Sequence, residues 1–336
     1  MRRRAFITLI GGAAATWPLA GHAQQPGKVY RIAIVIPSGS VEFLHEAKNP
    51  RNWGPFFEEL RRQGFVEGQN LVVERYSGEG DTDRYAELAR RVVASTPDAI
   101  ITSTTRLALD FKAATTTIPI VASAAAPIAS GLVPSLAHPG GNITGASGDG
   151  GVEFYAKHLE LVRQVIPSAV RIAYLTPRAV WESAILLTPV KDAAKEAGIS
   201  LIPALLEAPI KEAEYRRVFA ALVTDRVDAL IVGDSAENFS RQRLIIDLAE
   251  AARLPAVYPA RTFVERGGLI SYGAEGADLV RRKASDVAQI LKGARPGDIP
   301  FYQATRFELV INLKTATALG LTISPTLLSR ADEVIE

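Results

Sequence analysis

The sequence predicts an α/β protein with two similar lobes, each a doubly wound parallel β-sheet. From residue 28 onward, short continuous apolar segments alternate with longer amphipathic segments. This alternation is typical of parallel strands that are covered by helices on both faces. Several short motifs of the first half return in the same order in the second half. A chain of 336 residues is also long enough for two domains.

The first half contains four predicted strands and two predicted helices. The strands lie at residues 30–36, 70–76, 98–103 and 119–123. The first helix covers residues 53–64 and ends at Gly64, a residue type that commonly follows the last helical turn. The second helix follows an Asp81 or Thr82 cap. It has an apolar face that extends from Tyr85 to Val92 at helical spacing.

The second half repeats the first at offsets of 130 to 140 residues. The matched pairs are Arg31-Ile32-Ala33 with Arg171-Ile172-Ala173, Gly64 with Gly198, Asp98-Ala99-Ile100-Ile101 with Asp228-Ala229-Leu230-Ile231, and Ile118-Pro119 with Leu254-Pro255. Four matches in the same order predict that the two lobes share one βαβ topology, in which right-handed crossovers join the parallel strands.

The stretch HPGGNITG, residues 138–145, falls between the two series of strands. Gly140, Gly141 and Gly145 permit backbone torsions that other residues resist, so we interpret this stretch as the joint between the lobes. Asn142-Ile143-Thr144 fits the glycosylation pattern, but the bacterial export signal described below argues against its use. A phosphate-binding loop is disfavoured because no lysine and hydroxyl residue follow at the required spacing.

Residues 1–23 have the features of a cleaved secretory signal peptide. Three arginines precede an apolar run, and Gly21 and Ala23 are small residues at a cleavage site before Gln24. Arg3-Arg4-Ala5-Phe6-Ile7 further resembles a twin-arginine signal, with a Sec signal as the alternative. The chain has no cysteine, so disulfides, Cys-ligated metals and lipoprotein acylation are excluded. A free, soluble, monomeric periplasmic protein is therefore expected.

Charge excludes a nucleic-acid partner. Without residues 1–23 the chain keeps 35 basic and 36 acidic side chains, so its net charge is close to zero. Binding to a phosphate backbone would require a clear excess of basic residues. No cofactor is expected, and the scattered His45, His138 and His158 do not form a metal-binding pattern.

Four segments together resemble the ABC-transporter substrate-binding family, whose relatives bind tryptophan and tyrosine. They are GFVEGQNLVVERY, KAATTTIPIV, GLVPSLAHPGGNITG and ELVINLKTATALGLTISPTLLSRADEVIE. The resemblance implies a type I periplasmic binding fold in which three segments cross between the lobes. It also implies a small-molecule ligand and an inner-membrane ABC permease as partners. On this basis lobe 1 is expected at 24–141 plus about 262–305, and lobe 2 at 142–261 plus about 306–336. The chain departs from the family pattern at Arg106 and at Ala124-Ala125-Ala126, so the ligand class is not transferred.

Candidate ligand-binding residues follow the predicted strands, because ligands of open parallel sheets bind beyond the carboxyl ends of the strands. They are Ser38, Ser40, Ser103, Thr104, Arg106, Ser123, Thr176, Trp181, Asp234, Asn238, Tyr258 and Tyr272. Residues 103–105 open a helix that suits a carboxylate, and Asp234 suits an ammonium group or a hydroxyl. Trp181 and Tyr258 suit an aromatic or apolar part of the ligand.

Each of these assignments has a structural alternative. Ser103, Thr104 and Asp234 are also ordinary helix caps, and Arg106 is placed to pair with Asp110 one helical turn away. Trp181 fits a core position equally well. The candidate chemistry therefore remains open between ligand binding and local structure.

The predicted function is capture of a small solute, either an amino acid or a small carboxylate or aromatic compound, for an ABC importer. A ligand-sensing module for a membrane receptor or kinase would have the same fold, so it remains the alternative. An exported hydrolase is less favoured. Gly233-Asp234-Ser235 resembles a hydrolase motif, but no histidine follows residue 158 to act as a base. We therefore predict a protein that is not an enzyme.

Overall fold

The computed structural model describes residues 28–182 and 184–336. The predicted signal peptide, residues 1–23, lies outside the described residues. The strands are β1 (Tyr30–Ile36), β2 (Leu71–Ser77), β3 (Ala99–Thr102), β4 (Ile120–Ser123), β5 (Ile143–Ser147), β6 (Arg171–Pro177), β7 (Ser200–Leu206), β8 (Ala229–Val232), β9 (Ala256–Tyr258), β10 (Ile270–Ala274), β11 (Tyr302–Gln303), β12 (Phe307–Asn312) and β13 (Glu333–Ile335). The helices are α1 (Pro50–Arg62), α2 (Tyr85–Ala94), α3 (Thr105–Ala114), α4 (Gly151–Val165), α5 (Arg178–Glu182), α6 (Ala184–Glu196), α7 (Glu212–Thr224), α8 (Ala236–Ser240), α9 (Gln242–Ala251), α10 (Arg261–Val264), α11 (Gly276–Leu291), α12 (Leu313–Leu319) and α13 (Pro325–Leu328).

The strands form two sheets, one in each lobe. The first sheet has the order β2-β1-β3-β4-β5-β11, and the second has the order β7-β6-β8-β9-β10-β12-β13. All pairs are parallel except β10 with β12. Buried apolar clusters lie on both faces of each sheet, as the continuous apolar strands require. The predicted two-lobed α/β fold is confirmed.

The repeated motifs make the same contacts in both lobes. The Asp98 carboxylate accepts the Arg31 backbone N–H at 2.8 Å, and the Asp228 carboxylate accepts the Arg171 backbone N–H at 2.8 Å. The carbonyls of Pro119 and Pro255 accept backbone N–H groups from the strands beside them, at 2.8 and 2.9 Å. The repeated motifs therefore occur because both lobes use the same pattern of strand pairing.

The chain crosses between the lobes at three places that lie side by side. These are residues 148–150, 275–276 and 304–306. Their backbones are linked, since the Ala304 N–H donates to Ser147 O at 2.8 Å and the Glu275 N–H donates to Arg306 O at 3.0 Å. The three-segment hinge is thus present.

Two of the three lobe boundaries differ from the expected ones. β5 belongs to the first sheet although residues from 142 were assigned to lobe 2, and β10 belongs to the second sheet although residues from 262 were assigned to lobe 1. Only the crossing near residue 306 coincides with the expectation. The reason is that each sheet continues to a fifth parallel strand, and β5, which is short and contains a glycine, has a weak strand pattern.

The stretch HPGGNITG leads into a strand and is not the joint between the lobes. Gly140 and Gly141 have φ of +64° and +61° in the turn before β5. Gly145 lies inside β5 with φ of +151°, and a Cβ there would come within 1.9 Å of Ala122 O. The glycines permit close backbone packing inside the first lobe, and the true crossing begins after Ser147.

Across residues 28–182 and 184–336, we find no helix whose length and apolar character would let it span a bilayer.

Candidate functional site

The candidate site is the cleft between the carboxyl ends of the two sheets. Loops from these ends approach each other: a Cβ on Gly80, beyond β2, would lie 3.5 Å from the Arg241 guanidinium, which follows β8. Farther along the boundary between the lobes, Arg51 contacts Glu265 at 2.8 Å and Glu333 at 3.0 Å. We call the side that carries Ser38, Ser103 and Ser123 the first-lobe wall, and the side that carries Trp181 and Asp234 the second-lobe wall. The three crossing segments lie between them.

Polar hydroxyl groups dominate the first-lobe wall. Ser38 follows β1 and lies beside Gly80, since a Cβ on Gly80 would be 3.6 Å from the Ser38 Cβ. Ser40 caps a short 3-10 helix by accepting the Glu42 N–H at 3.2 Å. Ser103 follows β3, and Ser123 ends β4. The predicted placement of these serines at strand ends is therefore what the structure shows.

The N-terminus of α3 is fixed on this wall by threonine side chains. Thr104 is the N-cap residue and accepts the Leu107 N–H at 3.4 Å. Thr105 Oγ1 accepts the Ala125 N–H at 2.9 Å, which ties the helix to the loop after β4. The first turn of α3 thus has a fixed position beside Ser103 and Ser123, which suits it to a negatively charged group.

Arg106, one of the candidate ligand-binding residues, is paired within its own helix in this structure. Its Nε donates to Asp110 at 3.0 Å, and the side chain is exposed. The structure shows the i,i+4 pair of the structural alternative. The reason is that Arg106 lies one residue past the helix start, so its long side chain continues along the exposed helix face.

A buried lysine, Lys283, contacts the first-lobe wall from inside the lobe, and the sequence analysis missed it. Lys283 of α11 is only 4% exposed, and its Nζ donates to Ser123 Oγ at 2.8 Å. Burial lowers the pKa of Lys283 to about 8. Ser103 Oγ, at the end of the neighbouring strand β3, is buried without a hydrogen-bond partner. The sequence of α11 has three consecutive basic residues, Arg281, Arg282 and Lys283, and its amphipathic pattern does not indicate that Lys283 is the buried one.

Asp234 of the second-lobe wall lies near Asp149, which belongs to the first crossing segment. The Asp234 side chain reaches solvent through the cleft, yet protein surrounds it closely. This crowding, together with the charge of Asp149, raises the pKa of Asp234 to about 6. Both charges also raise the pKa of the buried Tyr155 and Tyr174 hydroxyls, after burial itself. A cation bound here would relieve the repulsion between the two carboxylates.

Aromatic rings lie beside these carboxylates. Trp181 lies 6.4 Å from Tyr174 between ring centroids, and Lys191 covers the indole at 4.5 Å. Tyr272 stacks on Phe307 at 5.7 Å, and Phe154 packs against both rings. A Cβ on Gly150 would be 2.8 Å from the Phe307 ring, so this aromatic cluster lies at the crossing segments. Trp181 and Tyr272 are partly buried, and sequence reasoning missed Phe154 and Phe307.

Three expected ligand-binding residues are buried instead. Thr176, Asn238 and Tyr258 are 1%, 0% and 2% exposed. Asn238 donates to the carbonyls of Leu175 and Gly233 at 3.0 and 2.9 Å, and it accepts the Tyr215 hydroxyl at 3.2 Å.

Tyr258 stacks on Phe263 at 5.1 Å inside the second-lobe core. Together with Asn238 and Thr176, it holds the loops of the second-lobe wall and has no surface in the cleft. These three residues lie at or after the predicted strand ends, but packing within the lobe directs their side chains into the core and away from the cleft.

The surroundings of His158 give it a structural role. The ring is buried, with Nδ1 2.9 Å from Phe154 O and Nε2 2.8 Å from Tyr272 O. Burial lowers the pKa of His158 to about 4, against the opposite effect of the two carbonyls. Over the part of the chain that the structure describes, no three His, Cys, Asp or Glu residues are grouped to hold a metal ion.

Comparison with known proteins identifies the family. The model of the family described as ABC transporter substrate binding protein matches residues 43–335. The chain belongs to this family. Among curated proteins, this substrate-binding protein is 26% identical over 267 residues to the tyrosine-binding protein of Clostridioides difficile, with 79% of this chain and 75% of the relative covered.

Solved structures show the same fold. A conserved domain protein of Vibrio cholerae matches with 28% identity and a TM-score of 0.80, over 91% of this substrate-binding protein and 100% of that chain. A domain from Streptococcus pneumoniae, solved in complex with L-Trp, matches with 25% identity and a TM-score of 0.79. That match covers 91% of this chain and 99% of the other. Both alignments include the two lobes and the hinge.

Proposed function

We propose that this protein is the periplasmic substrate-binding component of an ABC importer and that it captures an amino acid with an aromatic or apolar side chain. The observation that carries the proposal is the division of polar groups between the two walls. Hydroxyls and a helix N-terminus lie on the first-lobe wall, and Asp234 lies on the second-lobe wall near Asp149 of the crossing segment. An amino acid has one group for each wall.

The electrostatics of the walls indicate how the ligand would lie. Its carboxylate would bind at Ser103, Ser123 and the first turn of α3, where N–H and O–H donors converge. Its ammonium group would bind between Asp149 and Asp234, where it removes the repulsion that raises the Asp234 pKa. Trp181, which is partly buried, packs near this position against Tyr174, and Tyr272 belongs to the aromatic cluster at the crossing segments. The named ligands of two relatives, tyrosine and L-Trp, have this same combination of groups.

Closure would couple capture to delivery. A ligand that contacts both walls is bound more tightly by the closed form than by the open form, so it shifts the population toward closure. A differential affinity of roughly 10⁴, about 5.5 kcal/mol, changes a 1:99 ratio to 99:1. We propose that the closed form engages an inner-membrane permease, after export directed by residues 1–23.

The test is calorimetric titration of the purified protein with L-tyrosine, L-tryptophan and aliphatic amino acids. We expect a Kd near micromolar, about −8 kcal/mol, for at least one of them. Asp234→Asn should weaken this affinity about 10- to 100-fold, because it removes a charged partner from the ammonium group. Asp192→Asn, an exposed change on α6 of the same lobe, should leave it unchanged.

Uptake completes the test. Cells that lack the gene should lose import of the same solute, and the wild-type gene should restore it whereas Asp234→Asn should not. Failure of all amino acids to bind, or full affinity in Asp234→Asn, would contradict the ligand class. Binding without any effect on uptake would contradict the importer role and favour a sensing module.

A further inference from the structure

The buried ammonium group of Lys283 lowers the stability of the folded protein, and packing of the fold does not require it. It lies in the middle of α11, which packs against α1 and the first sheet. Its ammonium group donates to Ser123 Oγ, and no carboxylate oxygen of the described residues lies within 4 Å of it. Asp286 lies one helical turn further on and is paired with Arg282 instead. Burial of a cation without a counter-ion is costly, and an apolar side chain would fill the same space without that cost.

Lys283 reaches the carboxyl edge of the first sheet at the proposed ligand position. Thr102 pairs with Ala122 between β3 and β4, so Ser103 and Ser123 come next at that edge. The Ser103 hydroxyl is buried without a partner. The Lys283–Ser123 contact therefore lies beside the end of a neighbouring strand that carries a second, unpaired hydroxyl, where the sheet meets the cleft.

The direction of the Lys283–Ser123 hydrogen bond determines what Ser123 can do. An ammonium group has donors only, so it must occupy a lone pair of Ser123 Oγ. The Ser123 proton is then free to point away from Lys283, and Ser123 is partly exposed. A hydroxyl held in this way donates to an acceptor in the cleft, and the positive charge behind it favours an acceptor that is negatively charged.

We propose that Lys283 is a positioning residue that, through Ser123, makes the first-lobe wall select the anionic carboxylate of the ligand over a neutral group. This inference rests on the proposed function, because it concerns the same cleft. The inference goes beyond the proposed function because it names the side chain that makes the protein prefer an acid over its neutral analogue. The bound carboxylate would also supply the negative charge that Lys283 lacks in the protein alone.

The test compares each amino acid with its primary amide, which has nearly the same shape but no negative charge. L-Tryptophan and L-tryptophanamide, and L-tyrosine and L-tyrosinamide, are titrated into the full chain. The wild type should prefer the acid by about 10- to 100-fold, as expected for hydrogen bonds to a charged group. Lys283→Met should reduce this preference to within about threefold. Lys292→Met, the same change beyond the end of α11, should retain it in full.

A second variant separates this role from a merely structural one. Ser123→Ala leaves the cation in place but removes the donor, so it should also lose the preference between acid and amide. If Lys283→Met does not fold, Ser123→Ala decides the matter alone. Equal binding of acid and amide by the wild type, or an undiminished preference in either folded variant, would overturn this inference while the proposed function stands. No binding of any acid to the wild type would overturn both.

Discussion

At the scale of single residues, surroundings decide what each charged side chain does. Asp98 and Asp228 accept backbone N–H groups at equivalent strand ends and serve the fold. Asp234 has an environment that raises its pKa to about 6, which suits it to bind a cation. Lys283 and Asp286 lie on one helix, both buried, yet only Lys283 reaches the cleft wall. Burial and hydrogen bonding thus divide the same residue types into structural roles and proposed ligand-binding roles.

Asp286 should limit stability at neutral pH. Its side chain is 0% exposed, neither carboxylate oxygen has a well-aligned hydrogen bond, and burial raises its pKa to about 7 despite Arg282. The folded state therefore holds the Asp286 proton more tightly than the unfolded state, whose aspartate pKa is about 3.9. Between pH 4 and 7 this group makes stability fall as pH rises, because the folded state binds more protons there.

Asp286→Asn removes that dependence. We expect the variant to be about 1–3 kcal/mol more stable than the wild type at pH 8, and the difference to shrink toward zero near pH 4. Urea unfolding at a series of pH values measures it. Asp298→Asn, an exposed aspartate, serves as the control and should change little. A variant that is less stable than the wild type at pH 8 would show that the charge of Asp286 is needed.

At the scale of elements, each lobe repeats one plan with different details. β1, β3 and β4 correspond to β6, β8 and β9, and each aspartate or proline of the repeat makes the same backbone contact. The glycines are not equivalent to one another. Gly54 lies within α1 with open space around it, whereas Gly145 lies within β5 against the backbone of Ala122. The element that surrounds a glycine decides whether another residue fits.

Replacement of these two glycines by alanine should have unequal effects. Gly54→Ala should change stability by less than about 1 kcal/mol, because the helix preference of alanine is offset by the contact of its Cβ with the ring of Pro55 that follows. Gly145→Ala should destabilise it by about 3 kcal/mol or more, because its Cβ meets Ala122 O and its φ is positive. Thermal unfolding of both variants tests this. Equal stability of Gly145→Ala and the wild type would mean that β5 can move away from β4.

At the scale of the whole molecule, the proposed function depends on the balance between open and closed arrangements of the lobes. The Arg51 ion pairs with Glu265 and Glu333 join the lobes outside the proposed ligand position. Arg261 also contacts both glutamates within the second lobe, so Arg51 meets a pre-arranged charged group. These contacts exist only when the lobes are close, and they therefore favour the closed form.

Arg51→Ala should weaken ligand binding without touching the ligand. Exposed ion pairs contribute about 0.2–1 kcal/mol each, so the two pairs correspond to a loss of affinity of about two- to thirtyfold. The loss should diminish at high salt, which screens the pairs in the wild type. Arg62→Ala, which breaks a pair within α1, is the control. Calorimetry that finds equal affinities for both variants at low salt would exclude Arg51 as a determinant of closure.

The sequence by itself determined the number of lobes, their sheet topology and most strand positions, because apolar periodicity and strand-end motifs depend on local sequence. It also indicated which loops face the cleft, since the carboxyl ends of parallel strands share one edge. Only the tertiary structure decided which side chains of those loops point into the cleft. Asn238 and Tyr258 turned out to be buried, and Lys283 was added from a distant helix. Only the tertiary structure gives the lobe boundaries, because β5 and β10 are assigned to their sheets by pairing with distant strands and not by their local sequence pattern.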